Sequence, residues 1–392
     1  MMKVAVTGMG VQLPGADSVS RFAEMLAHNI CPLQVVKNIG TQKHRDLVMG
    51  VIDHEILSDP YFKRYSRVSK LAIAAVKEAF KDIHIENHPG KRISVIFGTS
   101  VGGLTEIEEL VASAAQENLR RYPVTGVAHG NIGSLAMGIG SYIKANHLQL
   151  TLGNTCTAST DAILLGKQLL ESYTTDICIV GGADSLINRT LVYGFLKQRG
   201  LAVEEDVRQA GMPFSTSTQG FVVSEGAGAL VLEREEDAVR RGADIYAFIE
   251  KGFSNHDNIS VFQSDQTGEN MTEVIQEICG SRLPSYVNSQ ALGLEENDRV
   301  EASAYRNCFD GSVPITSIKG LFGHTFGASG VIQAIASIIS IREGFIPATY
   351  GTDKKSFESL PIVTEKQEKP VSSVAVTTHG FGGSNTGLLI TG

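Results

Sequence analysis

The stretch 151-TLGNTCTASTDAILLGKQLL-170 sets a β-branched run, a turn and a single cysteine in front of an apolar helical pattern. Strand, turn and helix in that order place the Cys156 sulfur at a helix N-terminus, where unpaired backbone N–H groups and the macrodipole favour a thiolate. The other reading of the same residues is a small, inert, buried side chain, which is what most cysteines are. The alternation continues along the chain. Short apolar runs at 3-KVAVTG-8, 93-ISVIFGT-99, 176-DICIVGG-182, 228-GALVLE-233, 314-PITSIKG-320 and 373-SVAVTTHG-380 predict strands. Helical periodicity over 66-SRVSKLAIAAVKEAF-80, 158–173 and 328-ASGVIQAIASIISIREG-344 predicts the covering helices. Buried strands followed by amphipathic helices indicate an α/β protein whose sheets are covered on both faces. The polar, aperiodic segment 254-SNHDNISVFQSDQTGEN-270 reads as a loop or a connection between halves. VAVT recurs at Val4–Thr7 and Val374–Thr377, which fits two related halves.

Composition limits the function classes. A chain of 392 residues, 42% hydrophobic and 19% charged, buries a large core as one or two tightly packed domains. No apolar run reaches the roughly 20 residues of a membrane-spanning helix. The start, 1-MMKVAVTGMGVQLPG-15, lacks the apolar stretch and cleavage site of a signal peptide, so a cytoplasmic location is expected. Five scattered cysteines without a CxxC pair suggest free thiols in a reducing compartment, with neither a disulfide framework nor a zinc cage. A net charge of −8 without a basic stripe argues against nucleic acid as a partner.

Two later segments offer partners for the cysteine. In 316-TSIKGLFGHTFGASGVIQAI-335, Lys319 and His324 lie in a glycine-bounded loop that leads into a helix, a place to present an ammonium and an imidazole to a shared cleft. A histidine beside glycines is also compatible with a purely structural role. The segment 377-TTHGFGGSNTGLL-389 follows a strand, and its glycine-rich loop either brings backbone N–H groups to a ligand oxygen or simply turns tightly.

In this order, 4-VAVTGMG-10, 97-FGTSVGGL-104, the cysteine segment, 179-IVGGADS-185, 213-PFSTSTQGFVVSEGAGALVLE-233, 316-TSIKGLFGH-324 with GASG at 327–330, and GFGGSN at 380–385 resemble the β-ketoacyl-[acyl carrier protein] synthases. The resemblance covers nearly the whole chain. It implies a thiolase-like five-layer αβαβα fold of two similar halves, taken here as residues 1–250 and 251–392, commonly paired as a dimer across the sheet edge. It implies no tightly bound cofactor, because the substrates ride on the phosphopantetheine arm of acyl carrier protein. By carry-over, Cys156 is the acyl-accepting nucleophile, His324 a decarboxylation histidine and Lys319 its supporting charge. The backbone N–H groups of Cys156 and Phe381 form the oxyanion hole. A thiolate both attacks and leaves well as a thioester, and histidine N–H donors stabilise the enolate left by decarboxylation.

The sequence also departs from the family. The pattern Asn-Ala-His-Gly-Thr-x-Thr-x-x-Asn-Asp-x-x-Glu aligns without a gap on 288-NSQALGLEENDRVE-301, which puts Gln290 where a catalytic histidine is expected. A glutamine amide can donate a hydrogen bond to an enolate oxygen but cannot act as a base or carry positive charge. Leu292 and Leu294 replace the threonines that hold the pantetheine arm, so two polar anchors are missing. The segment 215-STSTQG-220 lacks the family's acidic and arginine residues. His379 stands where phenylalanine is usual, either as a partial substitute for the lost imidazole or as a tolerated ring.

These features leave three readings open. The chain is a degenerate partner of an active ketosynthase paralogue, like the chain-length factors of type II polyketide systems; or a ketosynthase, homodimeric or not, with a Cys-Gln-His site; or an acyl transferase that uses Cys156 and His324 without decarboxylation. The basic cluster 62-FKRYSRVSK-70 carries Lys63, Arg64 and Arg67 as candidates for docking an acidic carrier protein, or forms a solvated helix start.

Overall fold

A computed structural model describes residues 2–81, 90–117, 119–120 and 122–392. The apolar runs form one ten-stranded sheet. Its strands are β1 (Val4–Gln12), β2 (Ile93–Gly98), β3 (Gln149–Leu152), β4 (Ile177–Asp184), β5 (Gly226–Arg234), β6 (Ala247–His256), β7 (Tyr286–Asn288), β8 (Ile315–Thr316), β9 (Ser373–His379) and β10 (Ser384–Thr391). The spatial order is β3-β2-β4-β5-β1 followed by β6-β10-β9-β7-β8. Counted from its own first strand, each set of five runs 3-2-4-5-1. In both sets the first three of these pair in parallel and the last two join antiparallel. The chain is thus two copies of one topology, joined where Val4–Val6 pair antiparallel with Ala247–Ile249.

The recurrent VAVT does not mark this duplication. Val4–Thr7 lies in the first strand of its half and Val374–Thr377 in the fourth strand of the other, so the two are not equivalent. Since β6 opens the second half, the boundary drawn at residue 250 falls inside a strand. The segment from residue 254 is not the connection between halves either: its first residues complete β6, and Ile259, Phe262, Gln263, Ser264 and Gln266 then wall a cavity.

Six helices place the layers: α1 (Arg67–Ala79), α2 (Ser134–Ile143), α3 (Ala158–Glu171), α4 (Glu269–Cys279), α5 (Glu295–Phe309) and α6 (Ser329–Glu343). Helix α1 starts on the Ser66 side chain, which accepts the Ser69 N–H at 3.3 Å, and lays Val68, Leu71, Ala72, Ala75 and Val76 on β1 and β5. It forms one outer layer with α2; α4 and α5 form the other. Between the sheet halves lie α3 and α6, each the helix that follows the third strand of its half. Helix α6 is buried at every position from Ser329 to Ser340, as a helix in a central layer must be. A Cβ on Gly330 would sit 1.8 Å from Thr160 Oγ1, so the α3–α6 crossing requires glycine there. The five-layer αβαβα arrangement expected for a thiolase-like fold follows.

Two runs differ from expectation for local reasons. The 314–320 run keeps only Ile315–Thr316 as strand. Thr349 Oγ1 then takes the Ser317 N–H at 3.0 Å and Ser317 Oγ donates to the Ala291 carbonyl at 2.6 Å, which ends the ladder and opens the helical turn Lys319–Phe322. The glycine-rich 377–389 segment is a hairpin, in which Gly380, Gly382 and Gly383 occupy the turn between β9 and β10 and Gly387 lies within β10.

Candidate active site

The nucleophile candidate stands where α3 begins. Thr155–Thr157 form a 3-10 turn between β3 and α3, with Thr155 at φ +49°, a left-handed conformation that a β-branched residue adopts only under constraint. The other half repeats the device: Phe326–Ala328 form a 3-10 turn before α6, with Phe326 at φ +50°. Asp184 ties the two halves together here. It accepts the Gly327 N–H at 2.7 Å, the Ser100 N–H at 2.8 Å and the Thr99 hydroxyl at 2.8 Å, and burial pushes its carboxyl up to about 6.

Across the junction, His324 Nε2 lies 3.1 Å from Cys156 Sγ. Its Nδ1 is 3.0 Å from Ser329 Oγ, and its ring packs on Phe326 with centroids 4.5 Å apart. Burial, then the nearby Lys319 charge, hold the imidazole well below its usual range, so it is neutral. Burial also pushes the Cys156 thiol up to about 12, although the Phe381 N–H and Lys319 pull the other way. The resting pair is therefore a neutral thiol beside a neutral imidazole. Burial thus works against the thiolate expected at the helix N-terminus. Attack by sulfur requires proton transfer to His324 in the same step.

Lys319 is buried and does not hydrogen-bond His324. Its Nζ donates to Gln333 Oε1 at 3.0 Å, and burial lowers the ammonium to about 8 against the pull of Glu301. The Phe381 N–H points at the Cys156 sulfur, while the Phe381 ring is half-exposed at the cavity mouth.

Gln290 lies elsewhere. It is fully buried and absent from the cavity wall; its Nε2 donates to the His379 carbonyl at 3.4 Å, and its Oε1 has no partner among the described residues. The loop that carries it is held by two carboxylates of α5. Asp298 accepts the N–H groups of Phe214, Leu292 and Gly293, and Glu301 accepts the Gln290 N–H at 3.1 Å and the Ser289 and Tyr305 hydroxyls. A glutamine donor for an enolate, allowed by the sequence, is thus not presented to the cavity. Leu292 and Leu294 do line it, as does His379. The cavity measures about 830 Å³ and has both Cys156 and His324 in its wall.

This junction of two duplicated halves, with cysteine and histidine at paired helix starts, matches one family along almost its whole length. The β-ketoacyl synthase N-terminal domain matches residues 1–238, and the C-terminal domain of the same family matches residues 246–353. The chain belongs to the β-ketoacyl synthase family. Its curated relatives include a putative polyketide beta-ketoacyl synthase 1 of Streptomyces halstedii, 27% identical over 100% of this chain and 98% of the relative. A mitochondrial 3-oxoacyl-[acyl-carrier-protein] synthase of Arabidopsis thaliana is 29% identical over 81% of this chain and 73% of its own. Among solved structures, a type II polyketide acyl carrier protein in complex with its ketosynthase bound to the hexaketide superposes with TM-score 0.89 at 21% identity, covering 100% and 99% of the two chains. The ishigamide ketosynthase/chain length factor superposes at 0.88 and 23%, with the same coverage.

Against this β-ketoacyl synthase frame, the docking candidates separate. Lys63 and Arg64 are exposed on the 3-10 turn Pro60–Arg64. Arg67 is half-buried and engaged within the fold, with Nε 2.5 Å and Nη2 2.7 Å from the two Glu225 oxygens and Nη2 2.6 Å from the Ile52 carbonyl. The 215–220 segment bonds to Asp353 and contributes nothing to the cavity wall. Asp184, Ser329 and the Asn385–Asp257 pair escaped sequence reasoning. One signal was present: Ala158-Ser159 and Ala328-Ser329 begin the two equivalent helices.

Proposed function

We propose that this chain is a ketosynthase-family subunit that takes an acyl group from acyl carrier protein onto Cys156 but does not itself generate the malonyl enolate, and that it works beside a decarboxylating ketosynthase paralogue. One observation carries the reading. The thiol and imidazole needed for loading face each other at 3.1 Å in an open cavity, while the side chain at 290, which should help bind the enolate, is turned into the protein. In loading, the sulfur attacks the carrier thioester as His324 takes its proton. The tetrahedral oxyanion sits on the Cys156 and Phe381 N–H groups, and His324 returns the proton to the departing pantetheine thiol. No second imidazole donor then awaits a malonyl group, and Leu292 and Leu294 offer no hydroxyl to the arm.

The dimer partner fits the β3 edge of the sheet. Of the two edge strands, β3 and β8, β3 carries the exposed Leu150, with the exposed Met137 on the adjacent α2 and Ile132 beside Gly153. A paralogue supplies what the chain lacks, an active decarboxylating site, which favours a heterodimer over a pair of identical subunits. The test is intact-mass measurement of the chain alone and mixed with neighbouring ketosynthase paralogues. Acyl-carrier protein should load Cys156, and malonyl-carrier protein should lose CO₂ only when the paralogue is present. Efficient condensation by the chain alone defeats the proposal.

A further inference from the structure

We propose that His379 is a catalytic base that releases the acyl group from Cys156 to a hydroxyl acceptor, an alcohol or water, so that the chain forms esters or free acids rather than carbon–carbon bonds. This inference rests on the reading that Cys156 is loaded. His379 and Asn385 are direct cross-strand partners in the β9–β10 hairpin, and the imidazole Nδ1 is hydrogen-bonded to Asn385 Oδ1. The amide orientation is dictated by what lies behind it. Asn385 Nδ2 is 2.7 Å from Asp257 Oδ1, and a carboxylate only accepts, so the amide nitrogen must face the aspartate and the amide oxygen must face the ring. Nδ1 of the neutral ring therefore carries the hydrogen and Nε2 carries the lone pair. Asp257 is itself held: its Oδ2 accepts the Asp265 N–H and its own N–H donates to the Gly383 carbonyl, both at 2.8 Å.

His379 lines the cavity that holds Cys156 and His324, and its Nε2 makes no hydrogen bond to any described residue. Polarity then discriminates between nucleophiles. An enolate oxygen needs a donor, and a neutral ring in this tautomer presents an acceptor. An O–H acceptor needs a group to take its proton, and Nε2 is such a group. In the step, Nε2 takes the acceptor proton as its oxygen bonds to the acyl carbon. The tetrahedral oxyanion collapses, the C–S bond breaks, and the imidazolium returns the proton to the departing sulfur. The products are an ester, or an acid when water reacts, and the free thiol; no oxidant or cofactor enters the balance.

The test separates loading from release. The full-length protein is loaded with hexanoyl-carrier protein and freed of donor, and loss of the acyl mass from Cys156 is followed in buffer and in increasing 1-propanol. Release should accelerate with propanol and yield propyl hexanoate. Loaded His379→Phe protein, which carries the residue usual in the resembling family, should release roughly 100-fold more slowly. In a loaded His379→Ala protein, whose truncated side chain leaves room for it, added imidazole should restore much of the loss, which a structural role would not allow. Equal release by loaded wild-type and His379→Phe protein overturns the inference, as does wild-type release that propanol neither accelerates nor diverts to ester. Failure of the wild type to load at all removes the loading reading and this one with it.

Discussion

The protonation state of Cys156 can be read directly from alkylation kinetics. Burial pushes the thiol up to about 12. At pH 7.5 its thiolate fraction is then ~3 × 10⁻⁵, against ~10⁻¹ for an ordinary cysteine near 8.5. Since only the thiolate attacks iodoacetamide, Cys156 should react on the order of 10³-fold more slowly than a free cysteine. The logarithm of the rate constant should climb with unit slope from pH 7 through pH 10. Tryptic cleavage at Lys144 and Lys167 isolates Cys156 from the other four cysteines, so peptide mass spectrometry reports it alone. A plateau below pH 9, or a rate within tenfold of free cysteine at pH 7.5, would refute the reasoning. Either would mean that the N-terminal dipole of α3 and the Phe381 N–H prevail over desolvation.

Three further outcomes test the surroundings. Lys319→Met removes a charge that depresses His324, so the imidazole titration followed by NMR should move upward; Gln333 Oε1 loses its donor, at a cost of about 1–3 kcal/mol in urea unfolding. The Asp298 carboxyl is pushed up to about 7 by burial, so the folded chain holds a proton that the unfolded chain releases above about pH 4; relative to Asp298→Asn, wild-type stability should fall by up to about 4 kcal/mol from pH 4 to 7 and stay level above pH 8. Lys63→Glu with Arg64→Glu should weaken carrier-protein binding strongly at low salt and little at high salt, whereas Arg67→Glu should lower the unfolding midpoint by stranding the buried Glu225. A carrier affinity indifferent to salt and to the double reversal would count against docking at that turn.

The legible part of the fold is the part governed by periodicity. β1, β2, β4 and β5 are continuous apolar runs, and α1, α3 and α6 repeat apolar residues at helical spacing, so local sequence and final position agree. β6 alternates buried and partly exposed residues and ends in Ser254, Asn255 and His256, whose polarity resembles a loop until β10 pairs with it. At the site, the single residues of interest were visible in the sequence, because cysteine, histidine and the departure at Gln290 are chemical signals. Their supports were not. Asp184 meets Gly327 across 143 positions, and Asn385 meets Asp257 across 128, and neither separation leaves a local pattern. The same holds for Arg67: its sequence neighbours mark a basic cluster, and only the fold brings Glu225 beneath it.

On the proposed reading, the duplication explains how loading and decarboxylation separate in this chain. The thiol and His324 sit at the starts of the two equivalent central helices, where Asp184, the Gly330–Thr160 crossing and the strained turns at Thr155 and Phe326 fix them relative to one another. Gln290 and the two leucines belong to a different structure, the loop after β7, which depends on neither helix start. That loop is not slack. Asp298 takes three of its surrounding N–H groups and Glu301 takes the backbone N–H of Gln290, which fixes the loop backbone, while the glutamine side chain donates to the His379 carbonyl. In the observed conformation a donor for the cavity has to come from another position or another subunit. The position that offers a ring is 379, whose backbone carbonyl already holds the Gln290 amide, and its hydrogen-bond polarity is set by Asn385 and Asp257 rather than by the residue it replaces. What changes is thus not the number of imidazoles around the cavity but the direction in which the one at 379 can move a proton.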